Sequence, residues 1–302
     1  MTAAVAAAEV ARVAAAARQR IDTPCGDGTM PWRVWGTPVP DRAPLVLLHG
    51  GSGSWTHWLR NIERFAADRL VLAPDLPGLG DAAELPAPYT VEQAAATVDA
   101  GLQSALRRAF RPHAGATTAD PAPPAHCHIA AFSWGCTLAG QIAALRGPQV
   151  RSLALIGPAA IGPFPLAKMQ PLRKRWRGIT ALELDEVNRH NLGQLMLHDP
   201  ASIDDLAVHL QIENTNRARF NSPQFARSEI LLAALARTDQ PLAVVYGEFD
   251  GPVYPHLDDR RMRLLRARPD LEFHVAPNAG HWAQYEWAGY NDYLHDWLAR
   301  HD

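Results

Sequence analysis

Residues 128–137 read HIAAFSWGCT, and this stretch decides the fold that the sequence predicts. An apolar run leads into Ser133, which has a small residue two positions away on each side, Ala131 and Gly135. The alanine-rich residues 138–145 that follow predict a helix. A serine at the tip of a sharp strand–turn–helix is a nucleophile elbow, whose tight turn needs small neighbours and strains the serine backbone. A serine that only caps a helix is the competing interpretation.

Length, composition and charge restrict the class of protein. The chain has 302 residues, 47% hydrophobic and 20% charged, which is typical of one large α/β domain or two smaller ones. A net charge of -2 gives no electrostatic reason to expect a nucleic-acid or anionic-membrane partner. Cys25, Cys127 and Cys136 show neither paired nor metal-ligand spacing. They indicate a reducing compartment, and Cys127 and Cys136, which flank Ser133, are expected to be small core residues.

The alanine-rich N-terminus resembles a signal peptide only superficially. Residues 1–20 lack a basic start, and Glu9, Arg12 and Arg18 interrupt the apolar run. Residues 1–29 are therefore predicted to form a helical extension on the surface. No apolar run is long enough to span a bilayer, and we expect a cytoplasmic protein.

Strand and helix patterns alternate along most of the chain. Residues 30–35 alternate apolar and polar side chains, as in an antiparallel strand. Continuous apolar runs predict buried strands, and they lie at residues 45–49, 70–75, 150–156, 242–246 and 271–275. Helical patterns separate them, at residues 57–67 and 91–110 among others, so the sheet should be mostly parallel with helices on both faces. Residues 111–125 predict a flexible surface loop.

The alternation stops in residues 159–238. This segment contains no convincing strand and carries amphipathic helical patterns, notably at 202–218. It predicts a helical insertion into a core made of residues 1–158 and 239–302. Its basic cluster, at residues 173–177, is typical of a solvated face.

A glycine-rich loop, residues 50–55 (GGSGSW), follows the strand at 45–49. It lacks both the Lys-Ser/Thr ending of a P-loop and the spacing of a dinucleotide fingerprint. The remaining common use is an oxyanion hole, where backbone N–H groups approach a substrate oxygen and only small residues leave room.

Three chemically suitable residues each follow the carboxyl end of a predicted strand: Ser133, Asp250 and His281. Loops at that edge of a parallel sheet converge on one site. A serine hydroxyl needs an adjacent general base, histidine suits that role, and a carboxylate orients the imidazole. The order Ser, Asp, His along the chain is that of one known class of hydrolase.

Five motifs in this order resemble the α/β-hydrolase superfamily, and they lie at residues 49–53, 75–80, 131–135, 247–250 and 280–282. The resemblance covers roughly residues 30–157 and 240–300. It implies an α/β-hydrolase fold, with an eight-stranded, mostly parallel sheet and a cap at residues 159–238. It also implies an oxyanion hole from the backbone N–H groups of Gly51 and Trp134, and neither a metal ion nor an organic cofactor.

Other candidates receive structural interpretations. His49 is expected to orient the glycine loop, and Glu248 is an alternative to Asp250 as the acid. The tryptophans are expected to be mainly core residues, and Trp134 and Trp282, which neighbour Ser133 and His281, are the candidates for the lining of an acyl pocket. The remaining histidines considered are predicted to be surface or cap residues: His57, His190, His198, His209 and His274.

Within the superfamily, residues 280–286 (GHWAQYE) and the stretch from His198 onward are similar to the meta-cleavage-product hydrolases, which cut a carbon–carbon bond. Two departures count against that activity. Phe132 replaces the usual asparagine before the nucleophile, and Gln211 stands where those enzymes carry an arginine for the substrate carboxylate. Arg217 or Arg219 would substitute only in a repacked cap.

The sequence therefore predicts a serine hydrolase of small to medium carboxylic esters. A carbon–carbon hydrolase acting on a ketone is the first alternative. A receptor that binds a ligand with little or no turnover is the second. The expected partner is a small ester or ketone, and a homodimer stays an open alternative.

Overall fold

A single eight-stranded sheet organises the molecule. The computed structural model describes residues 2–110, 125–163 and 170–302. The strand order is β1-β2-β4-β3-β5-β6-β7-β8, with β1–β2 and β2–β4 antiparallel and all other pairs parallel. The strands are β1 (Gln19–Cys25), β2 (Gly28–Trp35), β3 (Leu45–Leu48), β4 (Val71–Pro74), β5 (Cys127–Phe132), β6 (Val150–Ile156), β7 (Leu242–Gly247) and β8 (Glu272–Ala276). The mostly parallel α/β sheet predicted from the sequence is confirmed.

Helices cover both faces of this sheet. They are α1 (Ala3–Ala15), α2 (Ile62–Ala66), α3 (Val91–Ala109), α4 (Trp134–Arg146), α5 (Ala181–Leu195), α6 (Asp205–Asn216), α7 (Ile230–Leu235), α8 (Leu257–Ala267), α9 (Ala283–Glu286) and α10 (Tyr290–His301). Capping boxes start two of them, since the Thr90 and Thr180 side chains each accept the N–H of the third helical residue.

The parallel strands are buried on both sides, so their side chains divide between two cores. Val46 and Leu48 of β3 belong to the core that α3 and α4 cover. Leu45 and Leu47 belong to the opposite core, which α1 and α10 cover. This two-sided burial explains why the central strands appear in the sequence as continuous apolar runs.

The predicted helical extension over residues 1–29 is correct for α1 and wrong beyond it. Residues Gln19–Cys25 form the edge strand β1, in which Ile21, Thr23 and Cys25 are buried and their neighbours are not. The period of two matches a strand, and pairing with β2 outweighs the helix propensity of the preceding alanines. The single helix expected at residues 57–67 is also wrong, because a 3₁₀ turn (Trp55–Trp58) precedes a shorter α2.

Residues 159–238, called the helical segment below, hold α5, α6 and α7 and no strand among the residues that the structure describes. The helix predicted at 202–218 is α6. The last helix, α7, packs on the core, since a Cβ added at Gly140 of α4 would lie 2.5 Å from Leu231 Cδ1. The loop predicted at residues 111–125 lies outside the described residues except for Ala125.

Two further features are the state of the cysteines and the length and polarity of the helices. All three cysteines are free and buried, as predicted for Cys127 and Cys136, and burial raises the pKa of Cys25 to about 11 and that of Cys127 to about 12. Their thiols are therefore protonated at neutral pH. In the described parts of the chain, every helix is too short or too polar to cross a bilayer.

Candidate active site

Ser133 stands at a strained turn between β5 and α4. Its backbone has φ 50° and ψ -113°, a combination that non-glycine residues rarely adopt. The Ser133 N–H donates to the Ile156 carbonyl (2.8 Å), which ties the turn to the end of the neighbouring strand β6. The predicted strand, sharp turn and helix are all present, and the turn lifts the serine above the carboxyl edge of the sheet.

Close packing requires glycine at position 135, two residues after the serine. A Cβ added at Gly135 would lie 2.6 Å from the His49 carbonyl oxygen and 2.7 Å from that of Leu48. Any larger residue would push α4 away from β3. Ala131, the small residue on the other side, is buried in β5 between Leu48 of β3 and Leu155 of β6.

Asp250 and His281 meet at the same edge. The Asp250 carboxylate is fully buried, and its Oδ2 lies 2.8 Å from Nδ1 of His281. With Nδ1 donating to the carboxylate, Nε2 is the nitrogen left to act as a base. The alternative acid Glu248 is exposed and accepts the backbone N–H of Asn278 (3.0 Å), so its carboxylate serves a turn.

A cavity of about 270 Å³ connects these elements. On the sheet side its wall includes Gly51, Ser133, Trp134 and His281. On the other side the helical segment supplies mainly apolar residues, among them Phe225, and the polar residues Gln211 and Ser222. Serine, imidazole and both predicted oxyanion donors therefore border one space.

Ser222 and two phenylalanines bring the helical segment directly onto the site. A Cβ added at Gly51 would lie 2.0 Å from the Ser222 hydroxyl oxygen and 3.8 Å from Trp134 Cβ. The Trp134 ring packs against Phe220 (4.9 Å between centroids) and Phe225 (5.4 Å). No motif in the sequence indicated these contacts, because they join residues that are about 90 to 170 positions apart.

Two buried histidines hold the glycine loop. His49 Nδ1 lies 2.8 Å from the Gly50 carbonyl oxygen, while its Nε2 accepts the N–H of Leu76 (2.8 Å). His57 Nδ1 accepts the N–H of Gly50 (3.2 Å). Burial lowers the pKa of His49. Burial first, then the charges of His49 and His281, lower that of His57 much further, so both rings are neutral at neutral pH.

Two expectations about individual residues are wrong, and the two arginines named for a repacked cap do not border the cavity. His57 is not a surface or cap residue, since only 2% of it is exposed. Trp282 does not border the cavity, whereas Trp134 does. The Trp282 Nε1 instead donates to the His57 carbonyl (2.9 Å). Arg217 pairs with Asp81 and Glu213, so it is directed away from the cavity. Arg219 likewise bonds the Ala82 carbonyl and pairs with Glu84.

Glu286 is a residue whose role the sequence did not indicate. Its carboxylate accepts three backbone N–H groups, from Gly280 (2.6 Å), His198 (2.9 Å) and Asp199 (2.7 Å). It therefore ties the loop that carries His281 to the chain that follows α5. The GHWAQYE motif contains this glutamate, but the motif does not reveal which N–H groups it binds.

Comparisons with known proteins agree with this fold. A family model described as "Alpha/beta hydrolase family" matches residues 45–293. A 2-hydroxy-6-oxononadienedioate/2-hydroxy-6-oxononatrienedioate hydrolase from Cupriavidus pinatubonensis is 27% identical over 84% of this chain and 86% of its own. The acetyltransferase component of an acetoin cleaving system from Pseudomonas putida is also 27% identical, but the chain spans only 60% of its length. A carboxylesterase structure from Bacillus subtilis superposes with a TM-score of 0.71 at 17% identity, covering 99% of this chain and 98% of its own.

Proposed function

The chain belongs to the alpha/beta hydrolase family, and we propose that it is a serine hydrolase of small to medium carboxylic esters. One observation carries the proposal. Ser133, at a strained turn, borders the same cavity as His281, whose Nδ1 is held by the buried carboxylate of Asp250. A nucleophile, a base and a group that orients the base are what acyl transfer through an acyl-enzyme requires.

The chemistry then runs in two half-reactions. Nε2 of His281 takes the hydroxyl proton while Ser133 Oγ attacks the ester carbonyl, whose electron pair moves onto oxygen. The backbone N–H groups of Gly51 and Trp134 stabilise that oxyanion. Its collapse expels the alcohol, which takes the proton from His281. Water, deprotonated in the same way, then releases the acid and restores the Ser133 hydroxyl.

The shape of the cavity supports uncharged acyl groups of limited size. Its volume of about 270 Å³ lies just below the usual range for small-molecule sites. Its wall is mostly apolar, with contributions from Ile161, Met196 and Val253. In this proposal the helical segment is the cap over the site, and Ser222, Phe220 and Phe225 bring it against the catalytic edge.

Release of p-nitrophenol from acetate, butyrate and octanoate esters tests the proposal, with wild type beside Ser133→Ala. We expect turnover of the two short esters, a fall with octanoate, and loss of turnover in the variant. Equal turnover by folded Ser133→Ala would contradict it. A folded wild type that binds esters without cutting them would favour a receptor.

A second candidate, a carbon–carbon hydrolase, is favoured by Arg260. Arg260 is only 1% exposed and borders the cavity, and its guanidinium donates to the carbonyls of Gly162 and Pro163 and to the carboxylate of Asp259. A guanidinium there is suited to a substrate carboxylate, a role for which the sequence suggested only Arg217 or Arg219.

A 2-hydroxy-6-oxodienoate substrate tests this candidate. If the candidate is correct, the wild type turns this substrate over, and Arg260→Gln lowers kcat/KM at least tenfold by raising KM. Turnover of neutral esters should be unaffected. Arg261→Gln is the matched control, because Arg261 lies over the Phe273 ring (5.7 Å). Equal effects of the two variants would reject the carboxylate role.

A further inference from the structure

Gly50 gives the loop after β3 a backbone flexibility that must be restrained if the loop is to hold an N–H donor in a fixed direction. A Cβ added there would lie 2.8 Å from Phe132 Cδ1 and 3.2 Å from Ser133 Cβ, so the close approach of loop and elbow requires glycine. Glycine is also the residue with the widest choice of backbone angles. An N–H placed by this loop is useful to an oxyanion only if its direction is fixed before the reaction.

Two neutral imidazoles hold Gly50 from both sides. Because His49 Nε2 accepts the N–H of Leu76, the proton of that ring lies on Nδ1, which donates to the Gly50 carbonyl. Because His57 Nδ1 accepts the N–H of Gly50, the proton of this ring lies on Nε2. The peptide planes before and after the Gly50 Cα are thus each fixed by one histidine.

The direction of the next N–H follows from peptide geometry. The Gly50 carbonyl and the Gly51 N–H belong to one planar trans peptide, in which they point in opposite directions. Gly51 borders the cavity beside Ser133. The His49 bond to the Gly50 carbonyl therefore restrains the Gly51 N–H, the donor assigned to the oxyanion, and the His57 bond restrains the peptide that precedes it.

We propose that His57 is a positioning residue for this reaction. By accepting the Gly50 N–H, its Nδ1 holds the peptide before the Gly50 Cα, while His49 holds the peptide that carries the Gly51 N–H. With both peptides held, the Gly51 N–H keeps its orientation toward the oxyanion. The inference rests on the proposed serine-hydrolase function, and it adds a residue that no motif marks.

The surroundings of His57 keep it in place. Its ring packs against Phe132 (5.3 Å between centroids) and Trp282 (5.0 Å). The titratable groups that face it are the imidazoles of His49 and His281. Together with burial, they keep His57 unprotonated, which is the state that an acceptor needs.

A matched pair of variants separates positioning from packing. The side chains of Asn and Leu have the same branched arrangement of four heavy atoms, and both remove the aromatic ring. In His57→Asn the amide oxygen takes the place of Nδ1 as an acceptor, whereas His57→Leu offers none. Packing losses are therefore shared, and only the acceptor differs.

The readouts are kcat and KM for p-nitrophenyl butyrate, and inhibition by an alkyl trifluoromethyl ketone, whose serine adduct carries the oxyanion. Loss of one oxyanion donor costs about 10²–10³ in kcat. A misdirected donor should therefore cost about 10–100-fold. We expect His57→Leu to lower kcat and the affinity for the inhibitor by the same factor, about 10–100-fold. Its KM should stay within about threefold of wild type. His57→Asn should stay within about threefold of wild type in all three.

Equal losses in the two variants, or a loss confined to KM, would overturn the inference. An inactive wild type would instead reject the proposed function itself. Should either variant fail to fold, ¹⁵N NMR of histidine-labelled wild type replaces it. The inference expects the His57 proton on Nε2 at pH 7, and a proton on Nδ1 would overturn it.

Discussion

The loop after β3 and the loop after β8 each carry a buried histidine to the same edge of the sheet, yet the two histidines have different partners. Nδ1 of His281 faces the carboxylate of Asp250 at 2.8 Å. Nδ1 of His57 faces the N–H of Gly50 at 3.2 Å. A carboxylate stabilises the protonated ring, whereas an N–H donor stabilises the neutral one. In the proposed mechanism His281 is therefore the base, whereas His57 stays an acceptor for the Gly50 N–H.

This difference teaches that the partner of Nδ1 determines what a histidine in this site can do. Burial does not separate the two rings, because both residues are less than a tenth exposed. Proximity to the elbow does not separate them either, since the Phe132 ring contacts both, with centroids 5.3 Å from His57 and 5.0 Å from His281.

Replacing the base should give the largest effect. His281→Gln keeps a polar side chain but cannot accept the Ser133 proton, so we expect kcat to fall about 10⁴-fold or more. The variant should still unfold cooperatively in urea. If it retained more than about a tenth of the activity, the two histidines would not differ in the way described.

Asp250→Asn removes the carboxylate that faces Nδ1 of His281. The amide can pair with the wrong imidazole tautomer and does not stabilise the imidazolium, so kcat should fall about 10⁴-fold. Steady-state kinetics on a short ester measure this loss. Glu248→Gln is the control and should stay near wild type, and the opposite ranking would make Glu248 the acid.

Loosening the loop after β8 without touching His281 should have a smaller effect. Glu286→Gln removes the charge that binds three backbone N–H groups, so we expect about a tenfold lower kcat/KM and about 2 kcal/mol less stability. Glu272→Gln, which removes the charge that pairs with Arg300 and keeps an acceptor for the Tyr293 hydroxyl, is the control. Equal behaviour of the two variants would show that Glu286 does not anchor the loop.

The neutral state of His57 should appear as a modest pH dependence of stability. Its folded pKa is lowered, as is that of His49, so below about pH 6.5 the unfolded chain binds more protons than the folded one. Stability should therefore fall as the pH drops from about 6.5 to 5. Each ring contributes up to about 1.4 kcal/mol per pH unit. Urea unfolding at several pH values should give a shallower slope for His57→Asn, and an unchanged slope would contradict the assignment.

The sequence indicated the parts of the site that depend on local pattern. Ser133, Asp250 and His281 each follow an apolar run, and a parallel sheet brings such positions to one edge. The edge strand β1 was missed because its short period-two pattern directly follows an alanine-rich helix. The role of His57 was missed because it depends on a turn and on Gly50, seven positions earlier. Glu286 and Ser222 act through contacts with distant segments, which no local pattern encodes.

Covalent labelling of Ser133 tests the central claim most directly. A fluorophosphonate reacts only with an activated serine, and intact mass followed by peptide mapping locates the adduct. The account predicts one adduct per chain, on Ser133, which is absent in Ser133→Ala and formed far more slowly in His281→Gln. An adduct on another residue, or none on a folded wild type, would contradict it.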